Sequence, residues 1–212
     1  MKRIGITGGI GSGKSYVCRL LAAQGIAIYD CDAAAKRLMR TSPELREQLI
    51  DLIGPEAYLA PSPSPLAPTL PLLNKAAIAQ FLLKSEENAH AIDAIVHPAV
   101  ARDFIANGYQ WMECAILYES GFDRLVDVVI VVTAPEEVRL QRIIDRDGIS
   151  KQKAQEWIAR QWPQEEVRRR ADYEIINDGI QLLQPQIDQL LNGPLSSCTS
   201  PTAKANERET EV

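Results

Sequence analysis

Short apolar segments recur along the chain, and each is followed by a stretch in which apolar residues repeat at helical spacing. Five segments have the character of β-strands, at residues 3–7, 26–29, 111–118, 127–132 and 173–176. The fourth, DVVIVV, is apolar on both faces, which is typical of a strand in the centre of a sheet. Strands that alternate with helices predict an α/β fold, in which a parallel five-stranded sheet is flanked by helices on both faces.

Helix-start and helix-end signals mark the stretches between these strands. They predict helices at about 17–21, 33–40, 43–53, 74–106, 135–147, 150–161, 165–170 and 180–191. Pro98 is expected to break the long helical region in which it lies, because proline lacks the N–H that a helix interior needs. Five prolines within residues 60–71 predict a stiff surface loop. The polar composition of residues 193–212 predicts a disordered tail.

Residues 8–15 read GGIGSGKS and match the phosphate-binding loop pattern G-x-x-x-x-G-K-[ST], or P-loop. A predicted strand precedes the motif and a helical pattern follows it. Glycines let the backbone turn its N–H groups toward an anion, and the helix N-terminus adds partial positive charge. Lys14 can then reach the β- and γ-phosphates, and Ser15 can offer its hydroxyl to Mg²⁺. The motif predicts a nucleoside triphosphate site.

Carboxylates follow two of the predicted strands. Asp30 and Asp32 end the second strand, and Glu119 ends the third. Because the carboxyl ends of parallel strands share one edge of the sheet, we expect all three to border the cleft of the phosphate loop. Transfer of a phosphoryl group to a hydroxyl needs a group that orients or deprotonates that hydroxyl, and carboxylates near Mg²⁺. The alternative to a catalytic role is that Asp32 caps the N-terminus of the next helix, since three alanines follow it.

Basic residues offer less specific signals. Arg139, Arg142 and Arg146 lie on one predicted helix, and the last two share a face from which they could neutralise phosphate charge. Their spacing alone favours a solvated face. The run at residues 168–170 is interpreted as exposed, and His97 as a packing or helix-start residue. The sequence has no His, Cys and carboxylate cluster with metal-ligand spacing, so the expected metal is Mg²⁺ carried in with the nucleotide.

Composition narrows the class of partner. The chain has 212 residues, a net charge of −5 and a pI of about 5.2, which argues against a nucleic-acid partner. It has no apolar run near the ~20 residues that cross a bilayer, so no membrane partner is expected. The first strand begins at residue 3, which leaves no room for a signal peptide. Four scattered cysteines indicate a reducing compartment, and we expect a cytoplasmic protein.

Six segments occur in a specific order: ITGGIGSGKS (6–15), YDCDAAAKRL (29–38), IVHPAV (95–100), AILYESGFD (115–123), VDVVIVVTAPEEVRLQRIIDRDGIS (126–150) and RADYEIIND (170–178). Together they resemble the dephospho-coenzyme A (dephospho-CoA) kinase family over about residues 3–191. Many families share the phosphate loop, but the whole set in this order is specific. The resemblance implies transfer of the ATP γ-phosphate to the ribose 3′-hydroxyl of dephospho-CoA, which gives CoA and ADP in the last step of CoA synthesis.

The resemblance also implies three functional parts. A nucleotide-binding core would comprise residues 1–30, 108–135 and 171–192. A helical insertion at residues 31–107 would bind the acceptor, and a helical lid at residues 136–170 would close over ATP. Kinases of this scaffold occur as monomers and as small homo-oligomers, and both states stay open.

Roles for individual residues follow from the matching motifs. The catalytic residues would be Asp32 as base, with Lys14 and Arg142 neutralising charge. Ser15 and Asp30 would lie at the Mg²⁺ that accompanies ATP. His97 and Glu119 would line the acceptor site together with Asp30 and Asp32. The ATP-binding residues would be Gly9, Gly11, Ser12, Gly13, Lys14, Ser15, Tyr16 and Arg146.

The chain departs from the family pattern at two positions, and the sequence leaves two other functions as alternatives. Tyr16 stands where a small residue is common, and Lys75 stands where an arginine is expected and lacks its planar fork. A different P-loop kinase would phosphorylate a nucleoside monophosphate, a nucleoside or shikimate. An ATP-gated binding protein would change shape with little chemistry. The D-x-D sequence at a strand end and the arginine-bearing lid favour an enzyme.

Overall fold

A computed structural model describes residues 2–59 and 72–198 of the chain. Its strands are β1 Ile4–Thr7, β2 Ile28–Asp30, β3 Trp111–Glu113, β4 Val128–Thr133 and β5 Tyr173–Ile176. All neighbours pair in parallel, in the order β2-β3-β1-β4-β5, which confirms the predicted sheet. β1 and β4 are buried along their whole length, because helices cover both faces of a parallel sheet.

The α-helices within these ranges are α1 Lys14–Ala22, α2 Cys31–Thr41, α3 Pro43–Ile53, α4 Lys75–Lys84, α5 Glu86–Ala106, α6 Glu136–Asp147, α7 Lys151–Ala159, α8 Gln164–Arg170 and α9 Leu183–Asn192. Short 3₁₀ turns lie at Pro55–Ala57, Phe122–Leu125 and Ser196–Cys198. The Ser42 and Ser150 hydroxyls accept hydrogen bonds from backbone N–H groups of α3 and α7, so each serine caps its helix. No helix in the described part of the chain is long and apolar enough to cross a membrane.

The described chain forms two compact units. The first runs up to Asp30 and resumes at Asn107, and it contains the whole sheet. One core cluster joins β1, β3 and β4 to helices α1 and α9 through buried side chains such as Ile6, Trp111 and Ile187. Burial of each large apolar side chain contributes about 1.5–3 kcal/mol, so this cluster anchors the central strands that carry the phosphate loop.

The second unit, Cys31–Ala106, consists of α2 to α5 with one antiparallel bridge between Tyr58 and Leu73. The long helix α5 lies at its centre and contacts each of the other three helices. The Tyr58 hydroxyl donates to the carbonyl of Met39 at 2.6 Å and thereby connects the segment after α3 to α2. The predicted proline-rich loop at 60–71 lies outside the described residues.

The predicted break at Pro98 is wrong. Helix α5 passes through Pro98, and the interruption falls at Ser85, between α4 and α5. Proline removes one N–H donor, and a helix that extends well beyond it on both sides keeps its remaining hydrogen bonds. The break occurs where a capping group is available, since the Ser85 hydroxyl accepts from the backbone N–H of Asn88 at 3.2 Å.

The predicted disorder of the tail is wrong for residues 193–198. Leu195 and Cys198 are buried in the core cluster, and the indole N–H of Trp111 donates to the Cys198 carbonyl at 3.0 Å. A composition averaged over residues 193–212 hides these two apolar side chains, which suffice to anchor the segment. The rest of the tail lies outside the described residues.

Candidate functional site

The phosphate loop of residues 8–15 joins β1 to α1. Gly11 and Gly13 have φ values of 80° and 87°, and Gly13 is the N-cap of α1. A Cβ on Gly11 would lie 2.6 Å from the carbonyl oxygen of Arg139, and one on Gly13 would overlap the side-chain amide of Asn177. Glycine is therefore required at both positions, for space and for the left-handed backbone. The loop leads directly into the positive end of the α1 dipole.

Two side chains of this loop converge on Glu113, the last residue of β3. Lys14 Nζ forms an ion pair with Glu113 Oε1, and Ser15 Oγ donates to the same oxygen at 2.9 Å. Both members of the ion pair have side chains only 12% exposed. Burial raises the pKa of Glu113, but Lys14, Ser15 and the Cys18 thiol together outweigh burial and hold this pKa below its usual value. Glu113 is therefore a carboxylate anion at neutral pH.

Asp30, the last residue of β2, is the register partner of Glu113 on the neighbouring strand. Side chains of register partners emerge on the same face of a sheet, so two carboxylates share this edge. Burial, with the charges of Glu113 and Asp30 adding to it, raises the pKa of the Cys18 thiol on α1. Cys18 therefore stays protonated and packs in the core, while Asp30, Glu113 and Ser15 present oxygen atoms.

The prediction that Glu119 ends the third strand is wrong. β3 ends at Glu113, and the Cys114 N–H makes the last hydrogen bond to β1, to the Ile6 carbonyl at 3.0 Å. Beyond this point β1 leaves for the phosphate loop, so β3 loses its partner and the chain turns. Glu119 lies in these turns, and its carboxylate accepts from the backbone N–H of Trp162 at 3.3 Å, between α7 and α8.

The carbonyl side of the phosphate loop is held by two side chains. Arg142 of α6 donates to the carbonyls of Gly11 and Ser12, both at 3.3 Å. Asn177, which follows β5, donates to the Ser12 carbonyl at 2.8 Å and accepts from Arg142 at 3.3 Å. Arg142 therefore contacts the loop, and the interpretation of a solvated face is wrong for this residue.

Arg146 differs from Arg142, although one turn of α6 separates them. Its guanidinium pairs with the neighbouring Asp147 at 2.7 Å, and its side chain is 61% exposed. Among the described residues, no hydrogen bond joins Arg146 to the phosphate loop. The prediction of a solvent-exposed helix face, made from the spacing of these arginines, therefore holds for Arg146.

Asp32 and His97 belong to the second unit. Asp32 lies in the first turn of α2, which begins at Cys31, so it is a helical residue rather than an N-cap. Its charge is favourable at the positive end of the helix. His97 lies in the interior of α5, with Nε2 3.5 Å from Asp93 Oδ1 one turn earlier, and it does not start a helix.

The oxygen atoms at the carboxyl ends of β2 and β3 match the chemistry of Mg²⁺. No group of three or more His, Cys, Asp and Glu side chains surrounds a common metal position within residues 2–59 and 72–198. Mg²⁺ commonly binds through one or two carboxylates, waters and the phosphates of a substrate, so it needs no complete protein cage. The Ser15 hydroxyl and the carboxylates of Asp30 and Glu113 fit this partial set.

Sequence reasoning missed Glu113 and Asn177. Glu113 was detectable as a charged residue inside an apolar strand, and Asn177 as the polar residue at the end of β5. Gln161, between α7 and α8, accepts from the Ile10 N–H at 2.7 Å and had no local signal. Arg139 was noted only as a member of its helix, yet its Nε donates to the Ile10 carbonyl at 2.9 Å.

Comparisons with known proteins agree with one another. A family model described as dephospho-CoA kinase matches residues 2–182. A dephospho-CoA kinase from Bacteroides fragilis is 38% identical over 200 residues, which cover 89% of this chain and 91% of the relative. One from Chlorobaculum tepidum is 36% identical, covering 91% and 95%. The crystal structure of TT1252 from Thermus thermophilus matches with a TM-score of 0.73 and 30% identity, covering 94% and 98% of the two chains.

Proposed function

The chain belongs to the dephospho-CoA kinase family, and on that premise we propose a role for each residue of the site. It is an ATP-dependent phosphotransferase that uses an alcohol as acceptor. The reaction moves the γ-phosphate of ATP to the ribose 3′-hydroxyl of dephospho-CoA and yields CoA and ADP. What remains to be assigned is which side chains bind, position and deprotonate the reactants.

Our assignment of the ATP site depends on one observation, the convergence of Lys14 and Ser15 on the Glu113 carboxylate. The Lys14 ammonium group already lies beside the Glu113 carboxylate, and a nucleotide phosphate would be a second anion for it to bind. The backbone N–H groups from Gly9 to Tyr16 wrap the phosphates, as the strand, glycine loop and helix order favours. Arg142 and Asn177 support this role because they hold the loop from its carbonyl side.

We assign Mg²⁺ to the oxygen atoms around Ser15. Its hydroxyl would bind the ion, and the carboxylates of Asp30 and Glu113 would hold it directly or through water. When bound, Mg²⁺ supplies positive charge that neutralises the transferring phosphate. The carboxylates of this chain provide the negative charge that keeps the ion beside the loop.

We assign Asp32 as the group that orients or deprotonates the 3′-hydroxyl. It stands two residues after the end of β2, on the first turn of α2, in the D-x-D segment that matches the family. Asp30, His97 and Glu119 are assigned to the acceptor site, and residues 31–107 to the insertion that binds the acceptor. These assignments come from the resemblance and remain predictions.

The lid is assigned to residues 136–170, with Arg142 and Arg146 as its cationic residues. Closure would exclude water from the reacting phosphate and so limit ATP hydrolysis. Transfer is proposed to be direct and in line, without a phosphoenzyme, because positioning and charge stabilisation suffice for this chemistry. The cytoplasmic location and the state of monomer or small homo-oligomer also remain predictions.

Replacement of Asp32 by asparagine tests the base. We expect Asp32→Asn to bind Mg-ATP with the parent affinity and to lose several orders of magnitude in turnover, measured by coupled ADP release with dephospho-CoA. The matched control is Asp51→Asn, an exposed aspartate of α3 in the same unit, which should keep parent turnover. Turnover of Asp32→Asn within tenfold of the parent, equivalent to about 1.4 kcal/mol, would exclude Asp32 as the base.

The same assay tests the acceptor. Dephospho-CoA should be preferred over nucleoside monophosphates, nucleosides and shikimate, which are the acceptors of other kinases with a phosphate loop. Preference for one of these molecules would place the chain's own activity outside that of its relatives. ATP-dependent capture of a protein, with no acceptor phosphorylated, would instead favour a binding role.

A further inference from the structure

Arg139, on α6, is a buried cation beside the phosphate loop. Only 5% of its surface is exposed, whereas arginine is almost never fully buried in proteins unless it is paired. Its Nε donates to the Ile10 carbonyl at 2.9 Å, which uses one of five N–H donors. The other four N–H donors of the guanidinium therefore determine which ligand Arg139 can bind.

Among the described residues, Arg139 has no ion-pair partner. Besides burial, the pKa of Arg139 is affected by the charge of Glu136, one turn earlier on α6, which opposes the effect of burial without forming a salt bridge. Burial is the larger influence and lowers the pKa of the Arg139 guanidinium. A buried charge is costly unless an opposite charge compensates it, so this position favours an anion.

The guanidinium borders a small pocket that is partly open to solvent. Gly8, Gly9, Glu119, Gln161 and Trp162 line this pocket together with Arg139. A Cβ on Gly9 would lie 2.5 Å from a terminal nitrogen of Arg139 and 3.3 Å from Gln161 Oε1. Glycine at this position therefore lets the guanidinium approach the first half of the loop closely.

We propose that Arg139 binds a phosphate group of a substrate at this pocket, as a further cationic ligand besides Lys14. This inference rests on the proposed function, because it assigns one more residue to the same site. The terminal N–H groups of arginine form a planar fork that matches two phosphate oxygens. The phosphate has two possible sources, the γ-phosphate of ATP and the diphosphate of dephospho-CoA.

A purely structural role would produce a different result. If Arg139 only held the Ile10 carbonyl, its loss would distort the loop that grips all nucleotide phosphates. ADP and a non-hydrolysable ATP analogue would then lose affinity together. A ligand role affects only the molecule whose phosphate reaches Arg139, so the ratio of the affinities separates the two roles.

The test measures dissociation constants by calorimetry for Mg-ADP, the Mg-bound ATP analogue and dephospho-CoA. We expect Arg139→Gln to weaken either the analogue or dephospho-CoA at least tenfold, and to leave ADP within threefold of the parent. Selective loss of the analogue assigns the γ-phosphate, and selective loss of dephospho-CoA assigns the acceptor diphosphate. Arg139→Lys, which keeps the charge without the fork, should show a smaller loss and serves if the glutamine variant does not fold.

The matched control is Arg124→Gln, an exposed arginine that precedes β4 and so lies at the opposite edge of the sheet. It should bind all three ligands like the parent. Equal losses for ADP and the analogue, or no loss above twofold for any ligand, would overturn the inference. Failure of the parent to bind the analogue, or unchanged binding by Lys14→Ala, would instead contradict the proposed ATP site itself.

Discussion

Replacement of Glu113 by glutamine tests the ion pair that holds Lys14 before a nucleotide binds. The substitution keeps the shape of the side chain and one acceptor oxygen for Lys14 and Ser15, but it removes the negative charge. Lys14 then remains beside a neutral amide in a place where its side chain is only 12% exposed. The free energy of unfolding of the nucleotide-free protein should fall.

The size of this loss follows from the burial of the pair. Removal of one member of a buried ion pair costs about 3–5 kcal/mol, because the other charge stays buried without compensation. The hydrogen bonds that glutamine can still make retain about 1 kcal/mol. We therefore expect Glu113→Gln to lower the free energy of unfolding by about 2–4 kcal/mol at pH 7, which corresponds to about 4–16 °C in Tm for a chain of this size.

Urea unfolding followed by tryptophan fluorescence measures the loss. The matched control is Glu137→Gln, an exposed glutamate of α6, which should change the free energy of unfolding by less than about 0.5 kcal/mol. Saturating ADP without Mg²⁺ should reduce the difference between parent and Glu113→Gln, because a phosphate then neutralises Lys14. A loss below 1 kcal/mol, or an equal loss in the control, would refute the reasoning.

The pH dependence of this difference has a defined sign. Folding lowers the pKa of Glu113 below 4.5, so its stabilising contribution is present above that value and is lost as the pH falls through the folded pKa. The difference between parent and Glu113→Gln should therefore be constant near pH 7 and should disappear in acid. A difference that grows on acidification would contradict the assigned charge.

Two further predictions concern stability, and both use urea unfolding. The Tyr118 hydroxyl is buried without a hydrogen-bond partner among the described residues, and burial, with Asp172 and Asp123, raises the Tyr118 pKa to about 12. Tyr118→Phe should raise the free energy of unfolding by about 1 kcal/mol. Tyr58→Phe should lower it by a similar amount, because the Tyr58 hydroxyl donates to the Met39 carbonyl. A lower free energy of unfolding in both variants would contradict this account. Leu195→Ala should cost about 2–4 kcal/mol, since Leu195 is 1% exposed, whereas Leu182→Ala at an exposed site should cost little. Equal effects of the two leucine variants would contradict the packing of residues 193–198.

Element boundaries show where pattern reasoning succeeded and where it failed. The strand at 173–176 and the starts of α3 and α7 were predicted correctly, because strand composition and helix-start residues are local signals. The third strand was predicted too long, because its end depends on where β1 turns away rather than on its own residues. Pro98 was misjudged because the packing of α5 outweighs one missing hydrogen bond.

The sequence by itself determined the parallel sheet, the phosphate loop and the family, because strand pattern, glycine spacing and motif order are carried by neighbouring residues. Only the tertiary structure showed that Glu113 holds Lys14, that Arg142 contacts the loop while Arg146 does not, and that Arg139 is buried without an ion-pair partner among the described residues. These properties depend on residues distant in the chain that the fold brings within hydrogen-bond distance. Charge compensation and burial are properties of that arrangement, so no local pattern of residues could encode them.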